Sequence, residues 1–516
     1  MMVDTLPVDI LYNIIAFLNV VDIIHLRQVS QRLFQVTQHR AVWHDAYSQS
    51  ALPRPPGPFT WQSTQQLEYG LITTAKVERN WPPQVASPIT SHKVTLAAGG
   101  RQFYLVFGRW ILAGGRNEVL CYDLDARGGE VNPTRVHFAA SGADIQHFRC
   151  LETTSPGGEP LAFALIWERR KSSEESLGPS DVIKVFKFSS LPDPNIPSNS
   201  TSSVELSLVR EINLESMPLD EVFIGPRLLV IHAKGYTPGS DRMVIMNTES
   251  YHLYSLPAPH HLSEGMHPPT FAVHSRVHIS TDYILTSHPS RSYNGDGSWT
   301  SQNFIKAYPI PPTHEPMAQP EPLLLRSTHQ GVFFTAELTQ GPTLWEWRNL
   351  ETGETQIALG VNESYRIDPN RNELYTNLTV ANITLSHSEG PSAIRCRIEH
   401  HDAIPDFTLS DTIRPPPLRL VGNNGEAHGR FVTLLRTTSG RTISFEVFGF
   451  ILRLKVNRES STVEVGGDMR KLDLPPLPQY GPPLVIGFHD PRGRLCWRYT
   501  NNLCGVAPYI EVLDFA

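Results

Sequence analysis

The chain is 516 residues long, carries a net charge of -7 at pH 7 and is 40% hydrophobic. That length exceeds what one compact core accommodates, so two or more domains, or one large repeat architecture, are expected. The charge balance supplies neither a basic face for nucleic acid nor a polybasic segment for anionic lipid. The 43 prolines imply many turns and few long helices after the start of the chain. Five cysteines (Cys121, Cys150, Cys396, Cys496 and Cys504) form no C-x-x-C pair, which fits isolated buried thiols in a reducing compartment better than a disulfide framework.

Aliphatic side chains crowd the stretch TLPVDILYNIIAFLNVVDIIHLRQVS, residues 5–30. A secretory leader needs a basic start and an uninterrupted apolar run. Here Asp4 and Asp9 are acidic, Pro7 and Asn13 interrupt, and no Lys or Arg precedes Arg27. A membrane span needs about 20 apolar residues, and Asp22 arrives too soon. The glycosylation-type sequons at Asn199, Asn362, Asn377 and Asn382 read as chance matches in Ser/Thr-rich loops. The expectation is a cytoplasmic or nuclear protein.

Pro7 suits the first turn of a helix, and Asp9 favours its positive end. Ile10, Leu11, Ile14, Ile15 and Leu18 recur at helical spacing. Asn19 or Asp22 supplies the next N-cap, before Ile23, Leu26 and Val29. Ser30 caps a third helix with Leu33, Phe34 and Val36, and Val42, Trp43, Ala46 and Tyr47 close the bundle. Fifty residues cannot bury that much aliphatic surface among themselves. Periodicity alone does not decide whether a partner or the rest of the chain covers it.

The order Leu6-Pro7-x-Asp9-Ile10-Leu11, then Ile14, Leu18, Asp22, Leu26, Val29-Ser30, Leu33 and a late Trp43 resembles an F-box. The resemblance covers about a tenth of the chain and departs in having Asp9 where the family often has Glu. It implies a three-helix module that docks on the Skp adaptor, and through it on a cullin–RING ubiquitin ligase. Carried over, Leu6 and Pro7 would open the contact, Ile10, Ile14 and Leu18 would form its first ridge, Leu26, Val29, Ser30 and Leu33 would continue it, and Trp43 would anchor the far end. Arg32 and Phe34 fall at variable family positions.

Residues 51–82 read as a connector: LPRPPGPF, then a helix capped by Ser63 with Leu67, Leu71, Ile72 and Ala75 inward, stopped by Trp81-Pro82-Pro83. It serves either as a spacer or as an ordinary packing helix. From 83 to 516 short β-like runs alternate with turns, such as FYLVF (103–107), WILAGG (110–115) and EVLCYDL (118–124). Units at 227–256, 331–357 and 430–456 echo the strand–turn–strand design of 103–124. This part resembles the divergent WD-repeat-like β-propellers found behind F-boxes, although the Trp-Asp and Gly-His signatures are absent. About seven blades are expected, with six or eight open, and PYIEVLDF (508–515) would close the ring with N-terminal strands. Paired β-sandwiches are the alternative. ERRKSSEESLGPSD (168–181), LPDPNIPSNSTSS (191–203) and the Pro-rich stretch at 310–322 read as hydrated loops. The fold expected overall is thus α+β and multidomain: a helical module at 1–50, the connector, and an all-β propeller-like domain.

No phosphate-cradling G-x-x-x-x-G-K-[ST], no G-x-S-x-G elbow and no H-E-x-x-H occurs. The adjacent pairs His260-His261 and His400-His401 lack carboxylate or cysteine ligands at fixed offsets. No cofactor and no metal is expected. The function expected is a non-catalytic substrate receptor that binds the Skp adaptor and an unknown target protein, with no nucleic-acid or membrane partner. A Skp-binding scaffold without a ligase role and a propeller-fold enzyme with a helical prefix are the alternatives.

Overall fold

The computed structural model describes residues 6–50, 52, 57–81, 85–96, 102–126, 133–140, 143–154, 160–170, 181–188, 204–213, 219–224, 227–233, 242–256, 276–279, 283–293, 299–310, 323–324, 329–334, 343–348, 355–366, 374–385, 394–400, 426–439, 442–457, 462–474, 484–499 and 509–516. Five helices come first: α1 (Val8–Ile15), α2 (Val20–Leu26), α3 (Gln31–Thr37), α4 (Arg40–Gln49) and α5 (Thr64–Asn80). Asn19 caps α2 by accepting the Asp22 N–H at 3.0 Å, and Ser30 caps α3 by accepting the Leu33 N–H at 3.2 Å. Ser63 and Gln66 form a reciprocal capping box at the start of α5, satisfying donors that the first turn leaves orphaned.

Among the described residues all further regular structure is strand, apart from one short 3-10 turn at Asp490–Arg492. β1 (Val85–Ala86) and β2 (Thr90–Thr95) are followed by four-stranded meanders. Sheet I is β3 (Gln102–Val106), β4 (Trp110–Gly114), β5 (Glu118–Asp123) and β6 (Thr134–Phe138). Sheet II is β7 (Ala143–Thr154), β8 (Pro160–Arg170), β9 (Asp181–Phe188) and β10 (Leu206–Asn213). Sheet III is β11 (Leu219–Ile224), β12 (Leu228–Ala233), β13 (Arg242–Asn247) and β14 (Leu253–Leu256). Sheet IV begins with β15 (Arg276–Ile279), β16 (Tyr283–Tyr293) and β17 (Trp299–Pro309). The short β18 (Leu323–Leu324) returns to lie parallel to β14, and β19 (His329–Phe334) completes sheet IV. Sheet V is β20 (Thr343–Arg348), β21 (Thr355–Arg366), β22 (Leu374–Leu385) and β23 (Ile394–His400). Sheet VI is β24 (Glu426–Ser439), β25 (Thr442–Asn457) and β26 (Thr462–Leu472), with β1 added in parallel. Sheet VII is β27 (Leu484–His489), β28 (Arg494–Tyr499) and β29 (Tyr509–Asp514), completed by β2.

That last pairing is antiparallel, with Val94 opposite Ile510, so Tyr509–Asp514 does return to an N-terminal strand. The first strands of successive sheets lie side by side: β24 by β27, β27 by β3, β3 by β7, β7 by β11, and β11 by β15. Between neighbouring sheets the side chains form dry layers. Phe103, Ile111 and Tyr122 of sheet I meet Cys496, Ile510 and Val512 of sheet VII. Leu112, Val119 and Cys121 meet Phe148, Ala164 and Phe186 of sheet II. Burial pushes the Cys121 and Cys496 thiols up to about 12, so both stay neutral and unreactive.

Three expectations need correction. The run 331–357 is not one hairpin, because β19 belongs to sheet IV and β20 opens sheet V. Asn362, Asn377 and Asn382 lie in β21 and β22, not in loops, since long-range pairing places this polar chain inside a ladder. Asn199 lies outside the described residues. Of the hydrated loop expected over 168–181, Glu168, Arg169 and Arg170 are instead in β8 and Asp181 is in β9, and 171–180 lie outside the described residues. Glu168 is only 1% exposed, bonded to His137 Nε2 and Lys184 Nζ, each at 2.8 Å, and these contacts answer the desolvation cost of a buried carboxylate. The expected loops at 191–203 and 311–322 lie outside the described residues, as do His260, His261 and His401.

The hairpin turn joining β3 to β4 is a meeting point of three sheets. Phe107 (φ 47°) and Gly108 (φ 62°) both adopt left-handed backbone, the requirement of a tight hairpin turn. The Phe107 N–H donates to Glu152 Oε1 of β7 at 2.7 Å, and Arg494 of β28 donates to the Gly108 carbonyl at 2.8 Å. A Cβ at Gly108 would lie 2.7 Å from the His489 ring, so glycine is required by space as well as by φ. Arg494 also forks onto Asp514 and reaches Asp125, which Arg492 contacts too. Burial would raise the Asp125 carboxyl, but Arg492 and Arg494 more than offset it and hold it low.

Glu152 has no such cation, and burial, opposed only by the Phe107 N–H, pushes its carboxyl up to about 7. The folded state therefore binds this proton more tightly than the unfolded chain does, and its contribution to stability declines as pH rises from about 4.5 to about 7. Glu152→Gln keeps the acceptor without the charge. We expect its melting temperature to exceed that of the parent chain at pH 8 and the difference to shrink toward pH 5; a pH-independent difference would refute this account.

Candidate partner-docking surface

α1 is apolar on two faces. Leu11 and Ile15 point into a core shared with Val20 and Ile23 of α2, Leu33 and Val36 of α3, Val42, Trp43 and Tyr47 of α4, and Leu67 and Leu71 of α5. Ile10 (44% exposed), Ile14 (40%) and Phe17 (91%) face outward at i, i+4 and i+7, the spacing of one helical stripe. Val21 and Phe34 are also exposed on α2 and α3. An apolar stripe left in water on so small a module is the kind of patch that marks an interaction surface.

The core beneath is held by arginines. Arg27 lies over the Trp43 ring, 5.0 Å from its centroid, forks onto the Glu68 carboxylate of α5 and donates to the Thr37 carbonyl. Trp43 Nε1 donates to that same carbonyl at 2.8 Å. Arg32 donates to the Leu6 carbonyl at 2.6 Å, fixing the entry into α1. Arg40 holds the carbonyls of Phe59 and Gln62 ahead of α5. A guanidinium can serve several acceptors at once, which an ammonium does less well.

The ten residues singled out from sequence divide by environment. Pro7, Ile10, Ile14 and Val29 (70% exposed) are open to solvent; Leu6, Leu18 and Leu26 are half-buried against the module core; Ser30 is the half-buried cap of α3. Leu33 (1% exposed) and Trp43 (0%) are sealed inside the module, so neither presents surface to a partner. Sequence reasoning missed Phe17 and Val21, although Phe17 stands three residues beyond Ile14 on the same stripe, and gave no weight to Phe34.

α5 links this module to the sheets. Its start belongs to the helical core, and its last turn packs into sheets VI and VII, where Val77 and Trp81 join Leu472, Leu495, Trp497, Leu513 and Phe515. Glu78 pairs with the buried Arg430 of β24, and Asn80 Nδ2 donates to the Phe515 carbonyl at 3.1 Å. Gly493, at φ 58°, leaves room for Val77, whose Cγ2 would lie 2.5 Å from a Cβ there. One helix of 17 residues, about 25 Å long at 1.5 Å per residue, is thus anchored at both ends.

Residues 3–49 match the F-box-like family. The helical module is similar to an F-box-like domain. The match covers the first helices and not the sheets. No curated protein matches the chain. Among solved structures, a mannose phosphorylase from Leishmania mexicana in complex with phosphate ion aligns at 10% identity and TM-score 0.21, over 64% of this chain and 84% of that one. A GDP-Man-dependent mannosyltransferase from the same organism aligns at 11% identity and TM-score 0.19, over 65% and 87%. Similarity at that level supports no inference of fold or chemistry. Among the described residues no helix is long and apolar enough to cross a membrane, and no three metal-ligating side chains come together.

The division between core and ridge has a direct consequence. Trp43→Ala is expected to cost about 3–5 kcal/mol and to abolish slow amide exchange across residues 8–47. Val29→Ala should alter stability by no more than about 0.5 kcal/mol. Hydrogen exchange on the full chain measures both, and equal protection in the two variants would contradict the assignment.

Proposed function

We propose that this chain is a non-catalytic substrate receptor of a Skp–cullin–F-box ubiquitin ligase. The observation that carries the reading is the solvent-exposed stripe of Ile10, Ile14 and Phe17 on a domain that matches the F-box-like family. Leu6, Pro7, Leu18, Leu26 and Val29 flank it as the adaptor-facing set, while Leu33 and Trp43 act from within by holding the helices in register. Ser30 contributes by capping α3. Standard interfaces bury about 800 Å² on each side, and a stripe of this size would form the dry centre of one.

The sheets form the target-binding half in this reading, as a seven-bladed propeller. Three features support that architecture: consecutive four-stranded antiparallel meanders, first strands that neighbour one another in series, and a seventh sheet completed by a strand from the other end of the domain. Meanders that each close within one sheet fit a propeller better than the Greek-key crossings of a sandwich. The receptor would act by proximity, raising the effective concentration of a bound target near the ubiquitin carrier. The anchoring of α5 at both ends gives that proximity a fixed geometry.

Charge placed on the stripe tests the reading. Ile10→Asp with Ile14→Asp should weaken co-purification with the Skp adaptor by on the order of a hundredfold or more, with the melting temperature unchanged because both side chains already face water. Undiminished adaptor binding would refute the docking surface. Adaptor binding without recruitment of added cullin would leave a Skp-bound scaffold instead of a ligase receptor.

A further inference from the structure

We propose that the outer edge of β26 is a strand-addition site, at which an extended segment of a target protein joins sheet VI. The proposal names the class of ligand for the receptor reading above and rests on that reading for the bound protein's role. Sheets I, II, III, IV, V and VII each cover their third strand with a fourth: β6, β10, β14, β19, β23 and β2. Among the described residues sheet VI has no such strand. Its fourth place is held only by β1, which pairs with Lys471 and Leu472 at the end of β26. Residues 462–470 pair with β25 on one side, and among the described residues no strand lies on the other. At about 3.4 Å per residue this uncovered edge is about 30 Å long.

The register fixes which backbone groups face outward. Two residues separate Ser439 from Thr442, which stand opposite each other across β24 and β25, and the pair that closes such a hairpin is hydrogen-bonded. Bonding then alternates along an antiparallel ladder. The odd-numbered residues of β25 bond toward β26, and the even-numbered residues of β26 bond back toward β25. Val463, Val465, Gly467 and Met469 therefore direct their N–H and C=O groups away from the sheet. The β25–β26 pairing runs without a register shift and β26 holds no proline, so two devices that ordinarily blunt an edge strand are missing. Gly466 and Gly467 stand at its centre, and glycine inside an unbulged strand suits the close approach of another backbone.

β1 cannot lengthen into this gap. It runs parallel to β26, so growth along the edge would use the residues just before Val85. Pro82 and Pro83 have no N–H to give a ladder, and Trp81 is fixed in the layer with Leu472 and Phe515. At the other end Ser87 Oγ donates to Asp473 at 3.3 Å, which holds β1 in its place. Sheet VI is also bonded to the connector: Glu78 pairs with Arg430 of β24, and the Trp81 indole lies where a Cβ on Gly449 of β25 would collide. A strand added to β26 is thereby carried at a fixed position relative to the adaptor-docking module. An extended segment is the partner this edge fits, because main-chain bonds supply affinity and alternate side chains supply selectivity.

Hydrogen exchange resolved to single amides on the full chain tests the edge. The amides of Val463, Val465, Gly467 and Met469 should exchange fast, and those of Glu464, Gly466, Asp468 and Arg470 slowly. Slow exchange in both sets would mean that the chain itself fills the fourth place, and would overturn the proposal. A displayed library of random peptides about ten residues long, the length of the edge, is the probe. Selected peptides should slow exchange at the outward set. Val465→Pro with Met469→Pro removes two outward donors and should weaken those peptides by about tenfold or more, with adaptor co-purification unchanged. Glu464→Pro removes a donor to β25 instead and should lower the melting temperature. The exchange pattern with and without peptide decides even where the double substitution lowers stability. Peptides that survive the double substitution, peptides that protect other amides, or a library that yields none overturn the proposal and leave the receptor reading intact. Peptide capture at these amides by a chain that binds no adaptor sustains the strand site and overturns the receptor reading.

Discussion

The arrangement depends on one helix having two cores. α5 places Leu67 and Leu71 in the F-box-like domain and Val77 in the layer between the connector and sheets VI and VII, where Trp81 follows at its end. Burial of a large aromatic is worth several kcal/mol when its site cannot collapse, and Trp81 is confined by Phe488 and Phe515, with ring centroids 5.5 and 5.1 Å away. A Cβ on Gly449 of β25 would collide with its indole. Sheet VII itself is completed by β2, just downstream of the helix, which pairs with β29. The end of the connector and the completion of the seventh sheet are therefore one packing event: loosening Trp81 would disturb the layer on which β28 and β29 rest.

The helical domain solves a different problem. A module this small cannot satisfy all its aliphatic residues internally, and it divides them by helix face. Leu11 and Ile15 serve the fold and Ile10 and Ile14 remain outside, although all four are aliphatic and lie within six positions. The cation of Arg27 between Trp43 and Glu68 lets α2, α4 and α5 meet without spending the outer stripe on internal contacts. The surface left exposed is thus a consequence of how completely the inner one is filled.

This division explains what was legible in the sequence. The caps at Asn19, Ser30 and Ser63 were readable because a side-chain oxygen and an N–H three residues on form a local unit. The F-box resemblance was readable from order and spacing. Leu33 and Trp43 were not assignable to core or surface, since periodicity identifies apolar positions and not which apolar face is covered. Glu168 read as loop because its partners His137 and Lys184 lie 31 and 16 residues away. β22, with its Asn and Thr content, gained its strand from pairing with β21 and β23 on both sides, information absent from a local window. The boundary between β19 and β20 failed for the same reason: two adjacent strands look like a hairpin until their partners are known.

One perturbed carboxyl and one perturbed imidazole also bear on whether this chain does chemistry. Glu152 is pushed up to about 7, and His489 is pushed down to about 3 by burial and then by Arg492 and Arg494. Two titratable groups with values driven apart are a signature of acid–base sites, and strain in the backbone between them would ordinarily strengthen that suspicion. Here the turn itself occupies the space. Glu152 accepts the Phe107 N–H, and the His489 ring abuts Gly108 so closely that a single methyl group would collide. A substrate atom placed between the two groups would have to displace the β3–β4 turn, and with it the contacts that join sheets I, II and VII. The perturbation is the electrostatic cost of packing three sheets around one hairpin, and it assigns these residues to the architecture that joins sheets I, II and VII.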